Sequence, residues 1–288
     1  LLFTESDIFS PKTVRLKKLS SYECDSTIQP VDLGTSILFT SSVSAYSRAF
    51  EAVILDDDTP PQIIEQTRVV PEFLPKDITK STNSAAIGIT TYGKKGSTNL
   101  YHYKYYNADN KREQSSWYTW TLLGTLQHMF YTGGNFFTVT FHDSEYKLTK
   151  HEYVTDTTAN RSYTITDNTT PNLPSGISTS RTFEAHLDFM TLPTALNPST
   201  DPDQTVVSLP YYPSTATNFY MVGLDGVDSN GESIIGVVKE ADSVSGSNAI
   251  FNNILLTNAH SKIAVGYGYT TTIELPTHYL NLGQNAYD

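Results

Sequence analysis

The sequence predicts an all-β protein. Antiparallel blades of the β-propeller kind are expected over residues 1–155, a polar linker or exposed loop over 156–180, and a second, acidic, β-rich and sandwich-like unit over 181–288. Two observations carry that expectation. The segment Gln114-Ser115-Ser116-Trp117-Tyr118-Thr119-Trp120 reads as a strand with a large ring on each face. Alternation places Trp117 with Thr119, and Trp120 with Tyr118 and Leu122. A strand of this kind must be covered on both sides, as a propeller blade is by its two neighbours. The second observation is a rhythm of short aromatic and β-branched runs separated by turn chemistry.

Taken in order, those runs are residues 36–40, 85–92, 100–106, 116–122, 129–131, 136–142 and 145–153. Asn107-Ala108-Asp109-Asn110, Gly133-Gly134-Asn135 and Asp143-Ser144 are hairpin connections between them. Residues 126–154 therefore read as a three-stranded meander. Tyr101, Tyr103 and Tyr105 share one face of the preceding blade, where inter-blade packing is favoured over a ligand-stacking platform. One segment departs from the rhythm. After Asp56-Asp57-Asp58-Thr59-Pro60-Pro61, residues 62–70 are expected to form a short helix ending before Pro71. The three aspartates suit its N-terminal dipole better than a cation site. Gln114, Trp117 and Trp120 are the residues expected to build the blades.

Beyond residue 154 the composition changes. Residues 155–180 are mostly Thr, Asn, Ser, Pro, Asp and Gly, with Tyr163, Ile165, Leu173 and Ile177 left to pack. A strand follows in which Phe183, Ala185, Leu187 and Phe189 alternate with Glu184, His186 and Asp188. Residues 219–224 and 233–239 flank a turn carrying Asn230-Gly231, a strong hairpin signal. The last strand sets Ile263, Val265, Tyr267, Tyr269 and Ile273 against Ala264, Gly266, Gly268, Thr270 and Thr272. The small residues on that second face allow another backbone to pack closely.

Composition bounds function. A chain of 288 residues, 38% hydrophobic and 17% charged, can bury a sizeable core and is expected to be soluble and globular. No apolar run approaches the roughly 20 residues a membrane helix requires, and Leu1-Leu2-Phe3-Thr4-Glu5 lacks the pattern of a signal peptide. The chain starts inside a strand-like segment without Met and stops at one, as expected of a piece of something longer. The single cysteine, Cys24, is expected to be a buried or idle thiol. Charge is unevenly divided. Residues 1–155 carry 15 basic and 17 acidic residues, and residues 156–288 carry 4 and 13, regional nets of −2 and −9. With Arg161, Arg181, Lys239 and Lys262 as its cations, the second region cannot neutralise many phosphates, so conventional nucleic-acid binding is not expected. Its carboxylates form either a solvated surface or one past which nucleic acid slides. Asp201, Asp203, Asp225, Asp228 and Glu232 are the candidates.

Motifs of chemistry are not found. The seven histidines, His102, His128, His142, His151, His186, His260 and His278, include neither a His-x-His pair nor a His-Glu-x-x-His. There is no nucleophile elbow and no P-loop, and Gly266-Tyr267-Gly268 sits in a strand without the third glycine of a dinucleotide site. Residues 225–232 do not match the spacing of a calcium-binding hand, so a turn is favoured. No catalytic residue, metal or cofactor is therefore assigned. The acids of a glycosidase can lie far apart in a chain, which leaves that chemistry open.

Four stretches together resemble a known family: Leu1-Leu2-Phe3-Thr4-Glu5-Ser6-Asp7, Asp77-Ile78-Thr79, Arg112-Glu113-Gln114-Ser115-Ser116-Trp117-Tyr118-Thr119-Trp120, and the strand from Ile263 to Leu275. In content and order they are similar to the tail tubular protein B, or tail nozzle, family of short-tailed bacteriophages (podoviruses). The likeness is strongest at 114–120 and weakest through 156–262. It implies a structural virion protein located in the tail, with an incomplete β-propeller and an additional β-rich domain. It further implies a homohexameric tube below the portal and adaptor, with tail fibres near its upper rim, the host cell envelope at its distal end, and genomic double-stranded DNA passing through during ejection. It carries over no catalytic residues, so no enzyme activity is expected. The competing functions are a carbohydrate-binding or glycan-degrading β-propeller of a phage tail, and a host-surface adhesin. The Ser-x-Asp-x-Gly-x-x-Trp turn of sialidase-like propellers is absent.

Overall fold

Antiparallel strands joined by short turns make up nearly all the regular structure. A computed structural model describes residues 2–6, 14–18, 22–42, 44–53, 61–108, 111–151, 162–166, 180–193, 196–198, 204–256 and 262–270. The chain divides into two units, residues 1–153 and 154–288. In the first, β1 (Leu2–Ser6) and β2 (Val14–Lys18) form a hairpin. The first sheet is the meander β3 (Val31–Asp32), β4 (Ser36–Ser41), β5 (Tyr46–Val53) and β6 (Gln62–Glu65), with β7 (Leu74–Pro75) also pairing with β5. The second is the meander β8 (Lys80–Ser84), β9 (Ile89–Gly93), β10 (Asn99–Ala108) and β11 (Lys111–Thr121). The third is β12 (Thr125–Thr132), β13 (Asn135–His142) and β14 (Glu145–His151). The three-strand meander expected over 126–154 is this third sheet. Its turns are set by consecutive positive φ angles, 55° and 77° at Gly133 and Gly134, 51° and 62° at Asp143 and Ser144, the backbone that tight hairpins require.

Two apolar clusters flank the second sheet. One joins Val31, Leu33, Leu38, Ala49 and Leu74 to Tyr92, Tyr103 and Tyr105, with Tyr101 and Trp117 packed against it. The other joins Leu100 to Leu126, Met129 and Phe136, with Trp120, Leu122 and Tyr131 alongside. Tyr101, Tyr103 and Tyr105 thus belong to the packing between sheets, as their shared face predicts.

The helix expected over 62–70 does not form. Gln62–Glu65 is strand β6, pairing Val53 with Gln62 through Phe50 with Glu65, and turns follow it. The run Gln62-Ile63-Ile64-Glu65 is β-branched at its centre, and β5 offers it an open edge. Arg48 Nη1 also reaches Glu65 Oε1 at 3.0 Å. The helical turn that does occur is a short 3-10 segment, Ala85–Ile87, at the start of a run expected to be strand. Asp56-Asp57-Asp58 lie outside the described residues.

In the second unit, β15 (Ser162–Thr166) pairs with β16 (Ser180–Glu184), so part of the expected linker is a strand. Two four-stranded antiparallel sheets follow. One runs β17 (Asp188–Thr191), β24 (Lys262–Tyr267), β20 (Phe219–Asp225), β21 (Val238–Glu240). The other runs β18 (Leu196–Pro198), β19 (Gln204–Ser208), β23 (Asn248–Asn252), β22 (Ser243–Ser245). Val207, Ala249 and Phe251 of the latter share one cluster with Phe219, Met221, Ile263, Val265 and Tyr267 of the former, as in a sandwich. The opposite face of β20 and β24, through Val222, Leu224 and Ala264, packs on Tyr163, Ala185, Leu187 and Met190.

Two local expectations change here. The single strand expected over 183–189 is split into β16 and β17 at residues 185–187, and within β17 Phe189 takes φ 51° and turns outward. The Asp188 carbonyl oxygen then lies 2.6 Å from where a Cβ on Gly266 would stand, which is the close backbone approach the small face of β24 predicts. Residues 233–237 form a loop, with Ile234 sent into the core, and the hairpin partner of β20 begins only at Val238. Ile273 lies outside the described residues.

Candidate functional site

Strand β11 presents a different chemistry on each face, and each face packs on a neighbouring sheet, one through Trp117 and the other through Trp120. Its register against β10 shifts between Tyr106 and Asn107: Tyr106 stands opposite Gln114, but Asn107 stands opposite Arg112. This bulge leaves Glu113 over and turns Arg112 onto the face of Tyr103, Tyr105 and Trp117. An unbroken ladder would instead aim Glu113 at Glu51.

On that face Arg112 and Glu51 form a two-pronged ion pair. Nη2 donates to Oε1 at 2.7 Å and Nη1 to Oε2 at 3.0 Å, while Glu51 itself is 3% exposed. The remaining capacity is taken up locally. The Ser36 hydroxyl donates to Glu51 Oε1, and Gln66 Nε2 donates to Oε2 at 2.7 Å. Arg112 Nη1 also donates to the Tyr103 hydroxyl at 2.6 Å, and that hydroxyl donates to Gln66 Oε1 at 2.8 Å. Trp117 Nε1 donates to the Gln66 carbonyl at 3.0 Å. The guanidinium lies 4.6 Å from the Tyr105 ring centre. Burial, opposed by Arg112 and reinforced by Glu51, pushes the Tyr103 hydroxyl up to about 12, so it stays a neutral donor. A charged pair is tolerable here because every prong is met.

The other face is uncharged. His102, fully buried, shares a 2.8 Å hydrogen bond between Nδ1 and Thr91 Oγ1, which is 2.9 Å from the Tyr131 hydroxyl. Its ring stacks on Tyr118 at 4.9 Å and meets Trp120 at 4.4 Å. His151 Nε2 is 2.8 Å from Thr138 Oγ1, and its ring lies 5.7 Å from Trp120 and 5.1 Å from Phe136. Burial, and then the nearby His151, pushes His102 down to about 3, and burial pushes His151 down to about 4. Both are neutral imidazoles at neutral pH.

Of the expected blade residues, Trp117 and Trp120 therefore sit in these two seams, whereas Gln114 is exposed beside the bulge. Sequence reasoning missed Glu51, Gln66, His102 and His151. The signals present were a lone carboxylate in Phe50-Glu51-Ala52-Val53 and a lone histidine between Tyr101 and Tyr103. Glu51 and Gln66 are satisfied within the first seam, whereas His102 Nε2 is buried without a hydrogen-bond partner among the described residues. Among the described residues no three His, Cys, Asp or Glu side chains gather as metal ligands.

The acidic candidates are only partly brought together. Asp228 Oδ1 accepts the backbone N–H groups of Asn230 at 2.8 Å and Glu232 at 2.9 Å, the turn expected in preference to a calcium loop. Asp225, at the end of β20, and Glu232 are exposed. Asp201 and Asp203 lie outside the described residues. Cys24 is exposed, where a buried thiol had been one of the two expectations; partial desolvation and then Asp25 push the thiol up, away from nucleophilic use.

Antiparallel sheets packed face to face through buried side chains define an all-β protein. The family model of the bacteriophage nozzle protein matches residues 1–286. The chain belongs to that family: it is a structural component of the phage tail and resides in the virion. No curated protein matches it.

Proposed function

We propose that this chain is a non-enzymatic subunit of the tubular tail nozzle of a short-tailed phage and forms part of the conduit for DNA ejection. In this reading residues 1–155 are blades of an incomplete propeller and the working unit is a homohexamer. It joins the tail adaptor on one side, meets the host envelope at its distal end, and carries tail fibres. The nozzle family match across residues 1–286 carries the proposal. The packed seams support it, since a conduit wall must resist force. So does the net charge of −11, because an acidic wall lets phosphate slide with little adhesion. Cryo-electron microscopy of the tail tests it: six copies around the DNA path are expected, and another symmetry at this layer, or absence from particles, overturns it.

A further inference from the structure

One end of the second sheet concentrates positive charge in this acidic protein. Residues 74–80, Leu74-Pro75-Lys76-Asp77-Ile78-Thr79-Lys80, and 93–98, Gly93-Lys94-Lys95-Gly96-Ser97-Thr98, hold four lysines and one carboxylate. The fold brings the two loops together. Thr79 N–H donates to the Gly93 carbonyl at 3.1 Å, and Lys80 stands opposite Gly93 in the β8–β9 ladder. Lys94 Nζ meets Asp77 Oδ2 at 2.5 Å, which consumes the carboxylate. Lys76, Lys80 and Lys95 have no carboxylate partner among the described residues.

The loops enclose an open cleft of about 300 Å³ lined by Pro75, Asp77, Ile78, Lys94, Lys95 and Tyr101. Its floor is held in place. Ile78 is buried, Gly96 N–H donates to the Leu126 carbonyl at 2.7 Å, and Leu126 N–H donates to the Ser97 carbonyl at 2.8 Å. Lys94 and Lys95 are exposed on its lining, and Lys76, also exposed, lies between the lining residues Pro75 and Asp77. Lys80, half-buried and opposite Gly93, stands on the other face of the sheet, toward Leu100 and Leu126. Lysines on a fixed rim suit phosphates better than one buried anion, because each is a hydrated point charge on a flexible stem.

We infer that the Lys76, Lys94 and Lys95 rim is a contact point for the phosphodiester backbone of double-stranded DNA, a local brake on an otherwise repellent wall. The proposal rests on the conduit reading for its choice of DNA, and its chemistry is tested separately. Two phosphates neutralised, by Lys76 and Lys95, give a log–log salt slope of about −2, so affinity is weak at physiological salt and rises as salt falls. Asp77 tunes the site by occupying Lys94.

The test is titration of a short fluorescein-labelled DNA duplex with the full chain across a salt series. Each of Lys76→Ala and Lys95→Ala is expected to flatten the slope by about 1, Lys80→Ala on the other face to leave it unchanged, and the triple alanine variant at 76, 94 and 95 to weaken low-salt binding by about tenfold or more. Asp77→Asn, which frees Lys94, is expected to tighten binding and steepen the slope by about 1. A triple variant that binds like the parent, or an Asp77→Asn variant that binds no tighter, overturns the proposal. Loss of the lysine effect with six copies still present in tails removes the brake and leaves the conduit. Lysine-dependent binding by a protein absent from tails does the reverse.

Discussion

The two faces of β11 solve one problem by opposite means. Toward the first sheet the strand seals a full ion pair, Arg112 with Glu51, and meets every prong of it with Ser36, Gln66, Tyr103 and Asn107. Toward the third sheet it seals neutral histidines among aromatic rings and threonine hydroxyls. The first seam depends on both charges being present. The second depends on charge being absent. One strand therefore joins its neighbours with two different sensitivities, and each can be broken without touching the other.

The largest effect is expected from orphaning the buried carboxylate. Arg112→Ala leaves Glu51, 3% exposed, without its counter-ion and costs about 3–5 kcal/mol. Replacing both, as Arg112→Met with Glu51→Leu, recovers most of that loss. Urea unfolding measures it cleanly, because the chain's two tryptophans, Trp117 and Trp120, both lie in these seams and their fluorescence reports the first unit alone. A double variant as unstable as Arg112→Ala contradicts the pairing.

Comparable losses, about 3–5 kcal/mol each, are expected for Trp117→Ala and Trp120→Ala, each ring packing against a different sheet. Calorimetry is the readout for these variants, which keep one tryptophan. A melting temperature unmoved by either change, coupled with loss of glycan binding, favours the lectin function over a conduit wall. In the same vein, purified protein incubated with host envelope polysaccharide or peptidoglycan is expected to give no turnover. Hydrolysis that disappears when a single Asp or Glu is replaced contradicts the non-enzymatic reading.

The smallest expected effect lies outside the seams. Asp228→Ala removes the acceptor for the Asn230 and Glu232 N–H groups and costs about 1 kcal/mol in the second unit. Tryptophan fluorescence is blind to it, whereas calorimetry detects it.

What the sequence revealed and what it hid follow from the range of the interactions. Hairpins at Gly133-Gly134 and Asp143-Ser144, and the two-faced strand carrying Trp117 and Trp120, depend on nearest neighbours and on alternation. Both were legible. The ion pair joins residues 51 and 112, and only a one-residue bulge turns Arg112 toward it. Nothing in Lys111-Arg112-Glu113 announces that bulge. Residues 62–70 misled because proline and aspartate signals argued for a helix start, while an open edge on β5, invisible in sequence, captured Gln62–Glu65. The shifted register of β17 against β24 likewise accompanies a positive φ at Phe189, beside a glycine far along the chain, Gly266. Asp201 and Asp203 could be nominated from charge alone, but composition carries no information on which way a carboxylate faces.

The contrast between the seams is tested most directly by acid. The folded values of His102 and His151, about 3 and about 4, lie below the ordinary histidine value of 6.5, so the unfolded chain binds protons first as pH falls. Stability is therefore complete above about pH 6.5 and declines by about 1.4 kcal/mol per pH unit for each histidine until its folded value is reached. Urea unfolding followed by tryptophan fluorescence between pH 7 and about pH 5, on the parent, His102→Phe and the double variant Arg112→Met with Glu51→Leu, is the measurement. The expected result is a slope cut by about half in His102→Phe, which keeps a ring in place, and unchanged in the double variant, which leaves no orphaned carboxylate to titrate. An undiminished slope in His102→Phe, or one that vanishes in the double variant, would contradict the account.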